Sequence, residues 1–228
     1  MEVGSILIIH PTRKRPSEGI ATLHRTVNNM TSKVRVKYVL SFDIDDDSIN
    51  TYRQLFKSVP ENVTVKFVQN FNRGAVDATN RAGESYVDED VLLTIADDII
   101  LSAGWDSKLF AFINMLQKDE YFIHIQDGIP NSATNAIIQC LSGAYYKRLG
   151  YIVHPDYISL FADTDALNQA RVLGVLYEYS GQPLGIIHDH PSFKGSAWDE
   201  TYVRTNRREA FDSGHAVYCR RQQEGFPI

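Results

Sequence analysis

The first half of this 228-residue chain alternates strand-like and helix-like segments four times over, and that alternation limits the folds open to it. Residues 5–9 form a compact apolar run that reads as a buried strand. Ser17 then offers a helix N-cap, with Glu18 in the first turn and Ile20, Leu23, Val27 and Met30 at helical spacing. Residues 34–42 and 63–68 alternate as strands. Ile49, Tyr52, Phe56 and Val59 mark a short helix between them. Residues 75–86 read as helix, 91–96 as a buried strand and 105–116 as an apolar helix. Such an order predicts an α/β fold, a mostly parallel central sheet with helices on both faces. Ligands of such sheets bind beyond the carboxyl ends of the strands. The polar clusters that follow the strands are therefore the candidate site: His10 to Arg13, Asp43 to Asp47, Asn70 to Gly74, and Asp97 with Asp98.

The second half is less regular. Residues 121–126 and 137–141 read as strands, 142–149 and 163–173 as helices, and 184–187 as a last strand before His188, Asp189 and His190. Residues 192–228 turn polar and read as a flexible loop followed by a C-terminal helical tail, which leaves 1–191 as one domain. A net charge of −5 gives no support for a broad nucleic-acid surface. Cys140 and Cys219 make neither a C-x-x-C pair nor a disulfide framework, so a reducing, cytoplasmic location is expected. The apolar run that stops at Pro11 is too short for a signal peptide or a membrane span, and no other stretch reaches membrane length.

Asp97 and Asp98 carry the most chemistry. Paired carboxylates after a buried strand can hold a hard cation such as Mg2+ or Mn2+, which would stabilise charge on a departing diphosphate. The same pair also reads as a cap on a strand-to-helix turn.

These features resemble a family-2-type glycosyltransferase with the Rossmann-like GT-A fold, over roughly residues 5–190. The resemblance is carried by residues 72–83 (NRGAVDATNRAG), by the acids after strand 91–96, by residues 9–16 (IHPTRKRP) and by the acidic loop 42–48 (FDIDDDS). It implies a nucleotide-sugar-binding half over 1–100 and an acceptor and catalytic half over 101–191. Pro11, Thr12, Arg13 and Arg15 would line the base and phosphate side. Asp43 or Asp45 would accept hydrogen bonds from the base or ribose. Asn72, Gly74 and Asn80 would shape the floor, and Asp97 would meet the diphosphate. The family's first acidic-motif aspartate falls at Ile95, so Asp97 and Asp98 remain as metal ligands, with His188 or His190 completing the set. Residues 161–167 (FADTDAL) resemble the segment that supplies the catalytic base, with Asp163 the first choice and Asp165 the second; an aspartate there also reads as an N-cap.

The implied reaction is inverting, metal-dependent transfer (Mn2+ or Mg2+) from a nucleotide-sugar, by family habit UDP-linked, to an acceptor hydroxyl. The acceptor is a glycan, a lipid, a small metabolite or a hydroxymethylated DNA base. Residues 192–205 would close over the donor. Arg204, Arg207 and Arg208 read either as reaching an anionic ligand or as surface arginines balanced by Glu200 and Glu209. A nucleotidyltransferase is the competing enzyme class, although the glycine-rich loop it needs after the first strand is missing. A catalytically silent sugar-nucleotide or glycan-binding module is the other alternative, favoured by Ile95.

Overall fold

The computed structural model describes residues 2–71, 74–130, 132–194 and 198–228. Strands β1 (Ser5–Thr12), β2 (Arg35–Asp43), β3 (Val63–Asn70) and β4 (Val91–Thr94) alternate with helices α1 (Pro16–Asn28), α2 (Ile49–Leu55) and α3 (Ala75–Gly83). A two-residue β5 (Ile99–Ile100) leads to α4 (Trp105–Leu116). Then come β6 (Phe122–Ile125), β7 (Ile138–Ser142), α5 (Gly143–Leu149), α6 (Ala162–Val172), β8 (Leu176–Glu178) and β9 (Ile187–His188). The chain closes with α7 (Pro191–Lys194), α8 (Glu200–Thr205) and α9 (Arg208–Glu224).

Seven strands form one sheet in the order β3-β2-β1-β4-β7-β6-β8. The pairs β1/β2, β2/β3, β1/β4 and β6/β8 are parallel, and β7 runs antiparallel to both its neighbours. β1 is buried almost throughout because both faces are covered. Its side chains alternate between two cores. Ile6 and Ile8 pack with α1 and α4 residues such as Leu23 and Leu109, while Leu7 and Ile9 pack with α3, α5 and α6 residues such as Val76, Tyr145 and Leu167.

From β1 the chain moves to β2 on one side, and the later β4 joins on the other. The order reverses at β1, and in doubly wound sheets the binding crevice opens at such a reversal. Expected and observed elements differ at several places, among them the start of α1, where Arg15 is the N-cap and Ser17 lies inside the helix behind Pro16. The helix expected to run to residue 86 ends at Gly83. β8 is an edge strand of three residues, too short to show periodicity. The strand expected at 184–187 is the two-residue β9, paired antiparallel with β5 through Ile99↔His188 and Ile100↔Ile187. That small ribbon sets His188 beside Asp98. Among the described residues no helix is long and apolar enough to cross a membrane.

Candidate active site

His10, near the end of β1, is fully buried. Its Nδ1 lies 2.7 Å from the Tyr38 hydroxyl and its Nε2 2.9 Å from Asp97 Oδ1. Thr12 Oγ1 is 2.9 Å from the Tyr52 hydroxyl, which also accepts the Arg15 N–H. Lys14 sits at φ 52°, a left-handed conformation rare outside glycine, and its N–H donates to Asp46 at 2.9 Å. This turn sends Arg13 towards the end of β2, where it donates to Asp43 at 2.7 Å and to Asp45 at 3.1 Å. Arg15 instead faces the acidic pair, 3.8 Å from Asp97 Oδ2.

Pro11, Thr12, Arg13, Arg15, Asp43, Gly74, Asp97 and Asp98 line one cavity of about 210 Å3, with Ala75, Ala78 and Ala96 on its floor and Thr201, Tyr202, Arg204 and Thr205 over it. Asp98 Oδ2 accepts from the Tyr202 hydroxyl at 2.7 Å and lies 3.3 Å from His188 Nε2. His188 Nδ1 is 2.6 Å from Asp127 Oδ2. Burial disfavours charge on this imidazole, yet hydrogen bonds to Asp127 and Asp98 outweigh it and push its pKa up to about 9. Burial likewise opposes the Asp98 carboxylate, but His188 and Tyr202 hold its pKa down at about 2. Asp163, in the first turn of α6, is half-buried and does not line the cavity. Burial, with the Asp127 charge adding to it, raises its carboxyl above the usual range.

The remaining predicted residues are placed differently. Asp45 stands at the rim, nearly half exposed, paired with Arg13. Asn80 is turned to a structural task. Its amide donates to the Val153 carbonyl at 2.8 Å, and its oxygen accepts from the N–H groups of Ile152 and Val153. With both ends so engaged it is not a floor residue for the donor. Asp165 is fully buried against Arg221, at 2.7 and 3.1 Å, and accepts from the Tyr157 hydroxyl at 2.8 Å. A carboxylate closed off in this way cannot take a proton from an acceptor. His190 sits at the rim among the rings of His188, Trp198 and Tyr202. Asn72 lies outside the described residues. Ile95 is buried in the α1-side core, so the missing acid falls at a position that faces packed apolar groups.

Arg204, read both ways from the sequence, reaches Asp43 at 3.0 Å. Asp127 escaped the sequence reading altogether, although it directly follows a strand, the signal that marked the others. Gly19 escaped as well. A Cβ there would stand 3.1 Å from Asp97 Oδ1 and from Thr12 Oγ1, so a larger residue would have to push these site side chains back by a few tenths of an ångström. Gly74 has φ +115°, and a Cβ on it would stand 2.4 Å from the Ile158 carbonyl oxygen. Gly74→Ala is expected to destabilise the fold by about 2–4 kcal/mol, from backbone strain plus overlap. Urea unfolding checks it; a loss below about 0.5 kcal/mol would mean the backbone relaxes freely there.

Neither a protein-family model nor a curated protein matches the sequence. Solved structures do match. S. aureus TarS 1–349 in complex with UDP superposes with a TM-score of 0.59 at 15% identity, over 77% of this chain and 58% of that one. The chain thus spans less than two thirds of that protein's length. TarS 1–349 with UDP-GlcNAc gives 0.59 at 14% identity, over 92% of this chain and 69% of that one. The mannosyltransferase PcManGT from Pyrobaculum calidifontis, in complex with GDP-Man and Mn2+, gives 0.59 at 11% identity, over 98% and 76%. The fold is that of a glycosyltransferase. At these identities the likeness concerns the path of the backbone, and a glycosyltransferase fold alone does not specify a reaction.

Proposed function

We propose that the chain is a family-2-type glycosyltransferase, which binds a nucleoside-diphosphate sugar, UDP-linked, in the 210 Å3 cavity and passes the sugar to an acceptor hydroxyl with inversion. One observation carries the reading: the loops after β1, β2 and β4 meet at the reversal point of a glycosyltransferase fold, with guanidiniums and carboxylates facing the same hollow. Arg13 and Arg15 supply cations for a diphosphate. Asp43, beside Arg13, supplies acceptor oxygens for a base or ribose.

The residues present fit a divalent cation, Mn2+ or Mg2+. Asp98 and His188, the latter once the ion displaces the proton on Nε2, would present an oxygen and an imidazole nitrogen 3.3 Å apart, close to the spacing of two adjacent donors about 2.1 Å from one ion. Asp127 fixes the ring through its other nitrogen, as second-shell carboxylates do for metal-bound histidines. We assign the ion to this pair in preference to Asp97, whose carboxylate is taken up by His10 and faces Arg15. Among the described residues no three such side chains cluster around one point, so the diphosphate and water would complete the shell. The ion would neutralise charge on the leaving diphosphate. Asp163 is the base. Burial raises its carboxyl pKa, and with it the affinity for the acceptor's proton.

A thermal-shift panel tests the donor. A nucleotide-sugar at a hundred times its Kd stabilises the fold by about 2.7 kcal/mol, and at this chain length that raises Tm by roughly 5–10 °C. UDP-sugars with Mn2+ are expected to do so, and Asp98→Asn is expected to abolish the Mn2+-dependent part. A flat response to every nucleotide-sugar at millimolar concentration would end this reading.

A further inference from the structure

The chain itself already engages the polar groups of this cavity, Arg204 from within it and Asp199 from the adjoining hollow on the α1 side. Asp199 grips Arg15 through two charge-assisted hydrogen bonds, at 2.6 and 2.7 Å. Arg204 donates to Asp43 at 3.0 Å. Between them the Tyr202 hydroxyl donates to Asp98 at 2.7 Å, its ring lies 3.9 Å under the Arg15 guanidinium, and Thr201 donates to the Arg13 carbonyl at 3.1 Å. The pairing follows the chemistry of a nucleoside diphosphate. An anion sits on the arginine suited to a phosphate, and an N–H donor sits on the carboxylate suited to a base or ribose.

From this geometry we infer that residues 199–205 act as an internal ligand of the donor cavity, so that the segment and the nucleotide exclude one another. The inference rests on the donor-site reading above. Two further observations support it. The cavity beneath the segment, about 210 Å3, is smaller than the roughly 300–1,000 Å3 of ordinary ligand pockets. A second hollow of about 570 Å3 lies on the α1 side. Arg15, Asp97, Asp98 and Tyr202 line both hollows, so the Arg15–Tyr202 stack is the partition between them. Withdrawal of Asp199 and Tyr202 joins the two into a space of nucleotide-sugar size. Apparent donor affinity is then the intrinsic affinity multiplied by the fraction of molecules with the segment withdrawn.

Calorimetric titration with UDP and with GDP, in the presence of Mn2+, tests the inference on Arg204→Ala and, separately, on Asp199→Asn. Each variant weakens the segment's charge-assisted hold on the cavity and keeps Arg13, Arg15, Asp43 and Asp98. Nucleotide is expected to bind each variant roughly tenfold more tightly than the wild type. Equal or weaker binding to both variants overturns the inference, since these side chains would then be donor ligands or bystanders. If neither nucleotide binds any of the three proteins, the donor-site reading fails and the inference fails with it. A second measurement needs no substitution. Trp198 lies against Tyr202, with ring centroids 6.0 Å apart, whereas Trp105 is fully buried behind α1. Saturating UDP or GDP is expected to shift the Trp198 emission of the wild-type protein as the segment leaves, and binding without such a shift overturns the inference.

Discussion

Asp163→Asn is expected to leave donor binding within about twofold and to lower sugar transfer by roughly 10²–10⁴, the range that a positioned general base contributes. The carboxylate stands in the first turn of α6, outside the donor cavity, where Asp127 acts on it through its charge. The amide has nearly the same shape but cannot accept a proton at neutral pH, so the chemical step suffers and nucleotide affinity does not. Transfer of labelled sugar to an acceptor found by screening, set beside nucleotide binding by calorimetry, makes the measurement. Near-normal turnover in the variant would remove Asp163 from the mechanism. A matching fall in donor affinity would instead make it a binding residue.

The second large effect is on stability. Arg221→Met strands the Asp165 carboxylate, which is about 1% exposed, opposite a guanidinium about 2% exposed. Removing one partner of a buried ion pair costs about 3–5 kcal/mol, because the remaining charge has neither water nor a counterion. Urea unfolding is expected to show a loss of that size. The paired change Asp165→Leu with Arg221→Met is expected to recover most of it, since a well-packed apolar pair avoids the desolvation of two ions. A single-variant loss under about 1 kcal/mol would show that Tyr157 and solvent compensate for the arginine. The same pair gives α9 a second consequence. It fastens that helix to α6 two residues beyond Asp163, so the C-terminal helix helps to hold the proposed base in place.

Asp163 and Asp165 also mark how far the sequence can be read. Both fall in the segment that resembles a base-bearing helix start, and their local patterns are alike. One feels the charge of Asp127 and the other enters a closed ion pair with a residue 56 positions further on. Asn80 tells the same story. It belongs to a run that resembles a donor-site motif, but its amide is spent on the backbone at 152–153.

From the residues alone came the sheet, its mostly parallel sense and the edge where the polar loops gather. Strand and helix periodicity are local properties, and short right-handed crossovers leave few ways to assemble them. Arg13, Arg15, Asp43, Gly74, Asp97 and Asp98, which line the cavity, were open to selection because each lies at the end of a strand or in the loop beyond it. Tertiary structure alone decided which acid of the 97–98 pair meets His188, that Asp127 orients that ring, and that Asp199 and Arg204 return to pair with Arg15 and Asp43. Arg15 and Asp199 are 184 residues apart, and no periodic pattern links them. Such contacts arise from where packed helices and turns deliver a side chain in space, which no local stretch of sequence encodes.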